Sequence, residues 1–232
     1  MHNDLIARIL APTRMSQREI HVLTEFESKK LLASVGIPVT KGRIVSDEEE
    51  AVRVAKEVGL PVALKLTSPQ LVHKSDTGGV RLNVMTTKEV KVVYRDLVSS
   101  AKNIDVQGVY VQNFIPSGVE VIVGSKRDQT FGPVVVFGLG GVFVEVLKDV
   151  AMRVVPFSEQ EARKMVAETK GHALLEGYRG RRADVGALVD IIMKLQNLLA
   201  QRTDLLEVDM NPIKVLGAGE GAVVLDARIT IS

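Results

Sequence analysis

Lys65 is the first residue whose setting suggests chemistry. It interrupts the apolar run Val62-Ala63-Leu64-Lys65-Leu66. The period-two alternation of a strand places it on the face opposite Val62, Leu64 and Leu66. Taken alone, this is a lysine whose stem covers apolar surface while its ammonium stays in water. The residues downstream add to it. His73-Lys74-Ser75-Asp76-Thr77-Gly78-Gly79-Val80 contains a cation, two side-chain donors and two adjacent glycines. Glycine pairs let backbone amides approach an anion closely. The segment is not a Walker A loop, because GxxxxGK[ST] is absent. A glycine hairpin with solvated charges is the alternative. A strand lysine followed by such a hairpin favours phosphate binding.

A second cluster is Leu206-Glu207-Val208-Asp209-Met210-Asn211-Pro212-Ile213, with Val224-Leu225-Asp226-Ala227-Arg228 after a glycine-rich turn. Alternation puts Glu207, Asp209 and Asn211 on one face. If the two segments pair as a hairpin, Asn211 and Asp226 converge. Hard oxygen donors such as Asp226, Asn211 and Asp209 suit Mg2+, which takes one or two protein ligands and completes its shell with phosphate and water. The alternative is a polar hairpin face. A third segment, Gln112-Asn113-Phe114-Ile115-Pro116, ends a strand in a proline-fixed turn able to offer backbone groups to an adenine edge. Glu120, shortly after it, is placed to accept from ribose hydroxyls. An ordinary crossing between lobes fits these residues equally. A fourth, Phe137-Gly138-Leu139-Gly140-Gly141-Val142-Phe143-Val144-Glu145, has its glycines between two strands. It is therefore not a Rossmann fingerprint, which opens a helix. A tight hairpin is the alternative to a turn that approaches a phosphoryl group.

These residues need a frame. The 232 residues are enough for one large domain or two small lobes. The net charge of +2 gives no global case for nucleic acid or membrane binding. With no cysteine, disulfides, Cys-ligated zinc and thiol catalysis are excluded. No signal-peptide layout opens the chain, and no apolar stretch approaches the roughly 20 residues that span a bilayer. A cytoplasmic protein is expected. Capping-box spacing at Thr24/Glu27, Ser46/Glu49 and Ser158/Glu161 marks helix starts. Gly36 and Gly59, each with proline two residues on, mark stops. Helices are expected near 24–35, 47–58, 87–102 and 184–201. The last carries a stripe of Leu188, Ile191, Ile192, Leu195, Leu198 and Leu199. Strands are expected at 42–45, 62–66, 79–85, 108–113, 119–125, 132–137, 142–146, 151–155, 205–209, 213–216 and 222–227. The strand-rich middle suggests an antiparallel sheet. Two α+β lobes with a boundary near 105–112 follow.

The four segments in this order resemble the ATP-grasp fold. They are most similar to the nucleotide-binding β subunit of ADP-forming acetyl-CoA (acyl-CoA) synthetase, an acid–thiol ligase. The similarity runs from about Leu23 to Ile229. It rests on Leu64-Lys65-Leu66 through Val80, on Phe131-Gly132-Pro133 through Gly141, and on Asp209-Met210-Asn211-Pro212. The resemblance implies an N-terminal extension at 1–22, an N-terminal lobe at 23–107 and a C-terminal lobe at 108–232, with the nucleotide in the cleft between lobes. It implies that Lys65, Lys74, Gly78, Gly79 and Val80 meet ADP/ATP phosphates. Gln112, Asn113, Phe114 and Ile115 would form the adenine hinge, with Glu120 on ribose. Asn211 and Asp226 would bind Mg2+. Gly140, Gly141 and Glu145 would line the phosphoryl-transfer end, and Asp209 would meet an incoming phosphohistidine. His73 would either carry a phosphoryl group itself or orient phosphate. His2, His21 and His172 lie outside the matched motifs and are expected at the surface or in packing.

The implied reaction is acetyl-CoA + ADP + phosphate = acetate + ATP + CoA. Its acyl-CoA steps belong to a separate CoA-binding α subunit whose phosphohistidine delivers the phosphoryl group, and an α2β2 assembly is expected. A self-contained ATP-grasp carboxylate ligase and a non-catalytic nucleotide-sensing subunit are the alternatives.

Overall fold

The structure, a computed structural model, describes residues 19–68, 78–101, 106–140, 149–177 and 180–232. The chain divides into two compact units. The first comprises Thr24–Phe26 and Val39–Gly118. Its four-stranded antiparallel sheet has the order β2-β5-β3-β4, built from β2 (Gly42–Val45), β3 (Val62–Thr67), β4 (Val80–Val84) and β5 (Gly108–Asn113). Helices α2 (Glu48–Val58) and α3 (Thr87–Ser100) pack on one face. Val62, Leu64 and Leu66 of β3 join Val109 and Val111 of β5 in a core with Ala51, Val54, Val90 and Leu97 of the helices. The opposite face carries Ala63, Lys65 and Thr67, as alternation requires.

The caps show how locally these helices are specified. Asp47, not Ser46, caps α2, its carboxylate accepting from the Glu50 amide at 2.7 Å. Two capping-box spacings, Ser46/Glu49 and Asp47/Glu50, are offset by one residue, and a carboxylate beside the positive helix end prevails over a hydroxyl. The expected Ser46/Glu49 box is thus displaced by one position. Gly59 ends α2 with φ at 87°, the left-handed region that glycine adopts without penalty. A full capping box at Thr86 and Glu89 starts α3, a signal the sequence reading passed over.

The second unit comprises Glu27–Pro38, Val119–Ser232 and the described residues up to Leu23. Its seven-stranded sheet runs β1-β11-β9-β6-β7-β8, with β10 also paired to β9. The strands are β1 (His21–Val22), β6 (Val119–Asp128), β7 (Gly132–Leu139), β8 (Val150–Val154), β9 (Leu205–Val215), β10 (Ala222–Val224) and β11 (Ala227–Ile231). Helix α1 (Glu25–Ser34) precedes them, and α4 (Glu159–Ala167), α5 (His172–Leu175) and α6 (Val185–Gln201) follow β8. The expected stripe on α6 is buried throughout, each such side chain contributing about 1.5–3 kcal/mol. The expected Ser158 cap starts α4.

Three strand expectations change. Residues 108–113 pair with β2 and β3 in the first sheet, not with the strands that follow them. Residues 205–209 and 213–216 are one continuous strand, β9. The expected strand 222–227 is broken at Leu225 and Asp226, and β11 begins after the break. The strand expected at 142–146 lies outside the described residues. Among the described residues no helix is long and apolar enough to cross a membrane.

Candidate functional site

In the first unit Lys65 lies mid-strand, opposite Tyr110 of β5 and Val80 of β4. It is buried, not half-exposed. Its ammonium donates to Glu25 Oε1 at 2.7 Å, with the two side chains only 6% and 3% exposed. The glycine turn is beside it. The Leu66 amide donates to the Gly79 carbonyl at 2.8 Å, and Gly78 has φ at 70°. Nothing lies within 4 Å of a Cβ built at Gly78, so the backbone conformation rather than crowding selects glycine there. Gly78, Gly79 and Val80 are therefore brought to Lys65 as the sequence suggests. His73 and Lys74 lie outside the described residues.

Of the expected hinge residues, Gln112 and Asn113 end β5, and Phe114 and Ile115 follow it. Gln112 is buried, and its side-chain carbonyl accepts from the Thr40 hydroxyl at 2.9 Å. Asn113 exchanges bonds with Lys41: its amide donates to the Lys41 carbonyl at 3.0 Å and its Oδ1 accepts the Lys41 amide at 2.8 Å. The Phe114 amide donates to the Pro61 carbonyl at 3.0 Å. The Ile115 amide has no backbone partner among the described residues. The turn is thus anchored by Asn113 and Phe114.

In the second unit Glu120 stands directly opposite Lys214 of β9, whose ammonium donates to its carboxylate at 3.0 Å. The Gly140 amide donates to the Glu120 carbonyl at 2.8 Å, and a Cβ at Gly140 would lie 3.1 Å from that carbonyl. Glu120 and Gly140 are neighbours for that reason. Gly141 and Glu145 lie outside the described residues.

On β9 the alternation is as expected: Val208 and Met210 are buried, while Glu207, Asp209 and Asn211 lie on the more exposed face. Asp209 pairs in register with Arg228 of β11. Burial raises the Asp209 pKa above the ordinary value, Arg228 opposes this, and the carboxylates of Glu207 and Asp226 add to it. Asn211 meets the break between β10 and β11. Its amide donates to the Asp226 carbonyl at 3.1 Å, and the Leu225 amide donates to the Pro212 carbonyl at 2.9 Å. The side-chain amide of Asn211 and the carboxylate of Asp226 are thus carried on adjacent backbone. Among the described residues no group of three or more His, Asp or Glu is placed to hold a metal. One amide oxygen and one carboxylate instead fit magnesium, which retains water and phosphate in most of its shell.

Sequence reasoning missed three charged partners. Lys214, like Lys65, is a cation inside an apolar strand segment, and that was the available signal. Arg228 follows Asp226 by two residues. Glu25 reads as an ordinary acid in a helix's first turn, and its partner is forty residues away.

A family described as an ATP-grasp domain matches residues 14–231. The chain is 40% identical over 233 residues to the β subunit of acetate–CoA ligase [ADP-forming] I of Pyrococcus furiosus, covering 98% of this chain and 100% of that one. It is 48% identical over 210 residues to acetate–CoA ligase [ADP-forming] II of Archaeoglobus fulgidus, covering 90% of this chain. The chain spans 30% of the length of that relative. Acetyl-coenzyme A synthetase 1 of Ca. Korarchaeum cryptofilum, in complex with coenzyme A and Ca-AMPCP, superposes with a TM-score of 0.89 at 41% identity, over 100% of this chain and 99% of that one. The same synthetase with Mg-AMPPCP has its phosphohistidine segment pointing towards the nucleotide binding site; the TM-score is 0.83 at 40% identity, over 100% of each chain.

Proposed function

This chain belongs to the ATP-grasp family, in the branch of ADP-forming acetate–CoA ligase β subunits, and from that premise we propose that it moves a phosphoryl group between Mg-ADP and a phosphohistidine of a CoA-binding partner subunit. The observation that carries the assignment to this chain's own residues is the placing of Asn211 beside Asp226 on the acidic face of β9. Both donors are hard oxygens, one on strand β9 and one in the break between β10 and β11 that is hydrogen-bonded to it. The magnesium they would hold neutralises phosphate charge when bound.

Lys65, with the Gly78–Gly79 amides, serves the nucleotide phosphates. Ile115 offers its amide to the adenine edge. Glu120 accepts from ribose, with Lys214 fixing its carboxylate. Asp209 receives the imidazole of the phosphohistidine; burial raises its pKa, while Arg228 opposite it on β11 opposes that shift and favours the carboxylate. Phosphoryl transfer asks little covalent chemistry of the protein, so positioning and charge carry the rate. The phosphoryl group leaves the partner's histidine nitrogen for the terminal ADP oxygen, giving ATP and free imidazole. The partner subunit regains its phosphoryl group in two steps: phosphate displaces CoA from acetyl-CoA to give acetyl phosphate, whose phosphoryl group passes to the histidine with release of acetate; the assembly is α2β2.

The test is reconstitution. The chain combined with a CoA-binding α subunit of this family is expected to form ATP from acetyl-CoA, ADP and phosphate, while neither component does so alone. ATP turnover by this chain alone with a carboxylate and an amine would contradict the proposal.

A further inference from the structure

Glu25 is a buried carboxylate that the phosphoryl-transfer reading leaves without a role. It is the first residue of α1, and its Oε1 accepts the Lys65 ammonium at 2.7 Å. Its place is fixed by the next residue. The Phe26 ring packs edge-on against Tyr110 at 5.7 Å and 65°, and Tyr110 stands directly opposite Lys65 on β5. Glu25 and Phe26, which belong to the same unit as β3, are thereby held on its polar face, and the carboxylate is held on the ammonium.

We propose that Glu25 is a positioning residue for Lys65: it holds the ammonium in place in the nucleotide-free chain and gives it up to a nucleotide phosphate. The inference rests on the proposed contact between Lys65 and the phosphates. An ammonium has a limited number of donors. A phosphate oxygen reaching Lys65 competes with Glu25 for them, and the two anions repel each other at close range. A polyphosphate also supplies the negative charge that Lys65 needs in a buried setting, so carboxylate and phosphate are interchangeable counter-charges. Glu25 thereby tunes nucleotide affinity downward while keeping the empty site ordered.

Glu25→Gln keeps the shape and the hydrogen-bond acceptor and removes the charge. In the reconstituted enzyme it is expected to lower the KM for ADP without raising kcat. In the isolated chain it is expected to bind Mg-ADP about tenfold more tightly by calorimetry, the low end of what close charge pairs contribute. Its nucleotide-free form melts below the parent, and Mg-ADP raises its Tm by more than it raises the parent's. Glu25→Asp, which keeps the charge, returns both quantities towards the parent. A merely structural glutamate would lose stability with no gain in affinity, and unchanged or weaker Mg-ADP binding by Glu25→Gln overturns the inference. If Glu25→Gln does not fold alone, refolding with Mg-ADP is expected to rescue it, because phosphate replaces the lost anion; no rescue counts against the inference. Lys65→Met separates the two levels. Parent-like Mg-ADP binding by Lys65→Met removes the phosphate assignment itself. Its loss of binding, with Glu25→Gln no tighter than the parent, removes only the role of Glu25.

Discussion

Replacing Lys65 by methionine keeps an unbranched stem in place and deletes the charge. The Lys65 and Glu25 side chains are 6% and 3% exposed, and their polar atoms are 2.7 Å apart. The variant removes the Lys65 ammonium from beside the Glu25 carboxylate in a nearly dry setting. Breaking a buried pair in this way costs about 3–5 kcal/mol. In a chain of this size 1 kcal/mol moves the melting temperature by about 2–4 °C, so a fall of about 10 °C is expected. Lys65→Met/Glu25→Gln removes both charges and is expected to recover most of the loss, since a neutral pair of similar volume leaves no stranded ion. The assay is thermal unfolding followed by circular dichroism, in parent, both single variants and the double variant, completing the cycle. Single and double Lys65 variants that melt together, or a Lys65→Met variant within about 2 °C of the parent, would refute the reasoning.

Two further outcomes follow from the acidic face of β9. The folded chain holds the Asp209 proton more tightly than the unfolded chain does, chiefly through burial. Stability is therefore lost as pH rises from the ordinary value of 3.8 through the raised one, and the cost persists above it. Asp209→Asn is expected to raise the melting temperature at neutral pH, with the difference vanishing towards pH 3.8, while slowing phosphoryl exchange; melting curves across pH check the first and exchange rates the second. Asp226→Ala, and to a smaller degree Asn211→Ala, is expected to weaken Mg-ADP binding by about 10–100-fold, the scale of losing a charged contact. Calorimetry with and without a chelator reads the magnesium-dependent part.

Features governed by local pattern were legible in the sequence. The α6 stripe is set by helical spacing, and the face of Lys65 by strand alternation. Glu207, Asp209 and Asn211 share a face for the same reason. What escaped depended on partners distant in sequence. Whether Lys65 is wet or buried is decided by Glu25 and Phe26, and neither is marked in the β3 segment. β5 was assigned to the wrong lobe because its neighbour in the chain is β6, whereas its hydrogen bonds go to β2 and β3. The gap expected between 209 and 213 is absent: β9 runs through Pro212, although proline lacks a ladder donor. The break falls instead on the facing segment, at Leu225 and Asp226, where the Leu225 amide donates to the Pro212 carbonyl. That displacement is what brings Asp226 to Asn211.

Lys65 and Asp226 of this chain are proposed to serve the phosphoryl transfer to ADP. The most direct measurement starts from a partner subunit labelled on its phosphohistidine and follows loss of label on adding this chain, magnesium and ADP. Dephosphorylation that requires ADP and yields labelled ATP is expected with the parent chain, and its loss is expected with the Lys65→Ala/Asp226→Ala double variant. Transfer that continues undiminished in the double variant would contradict the account.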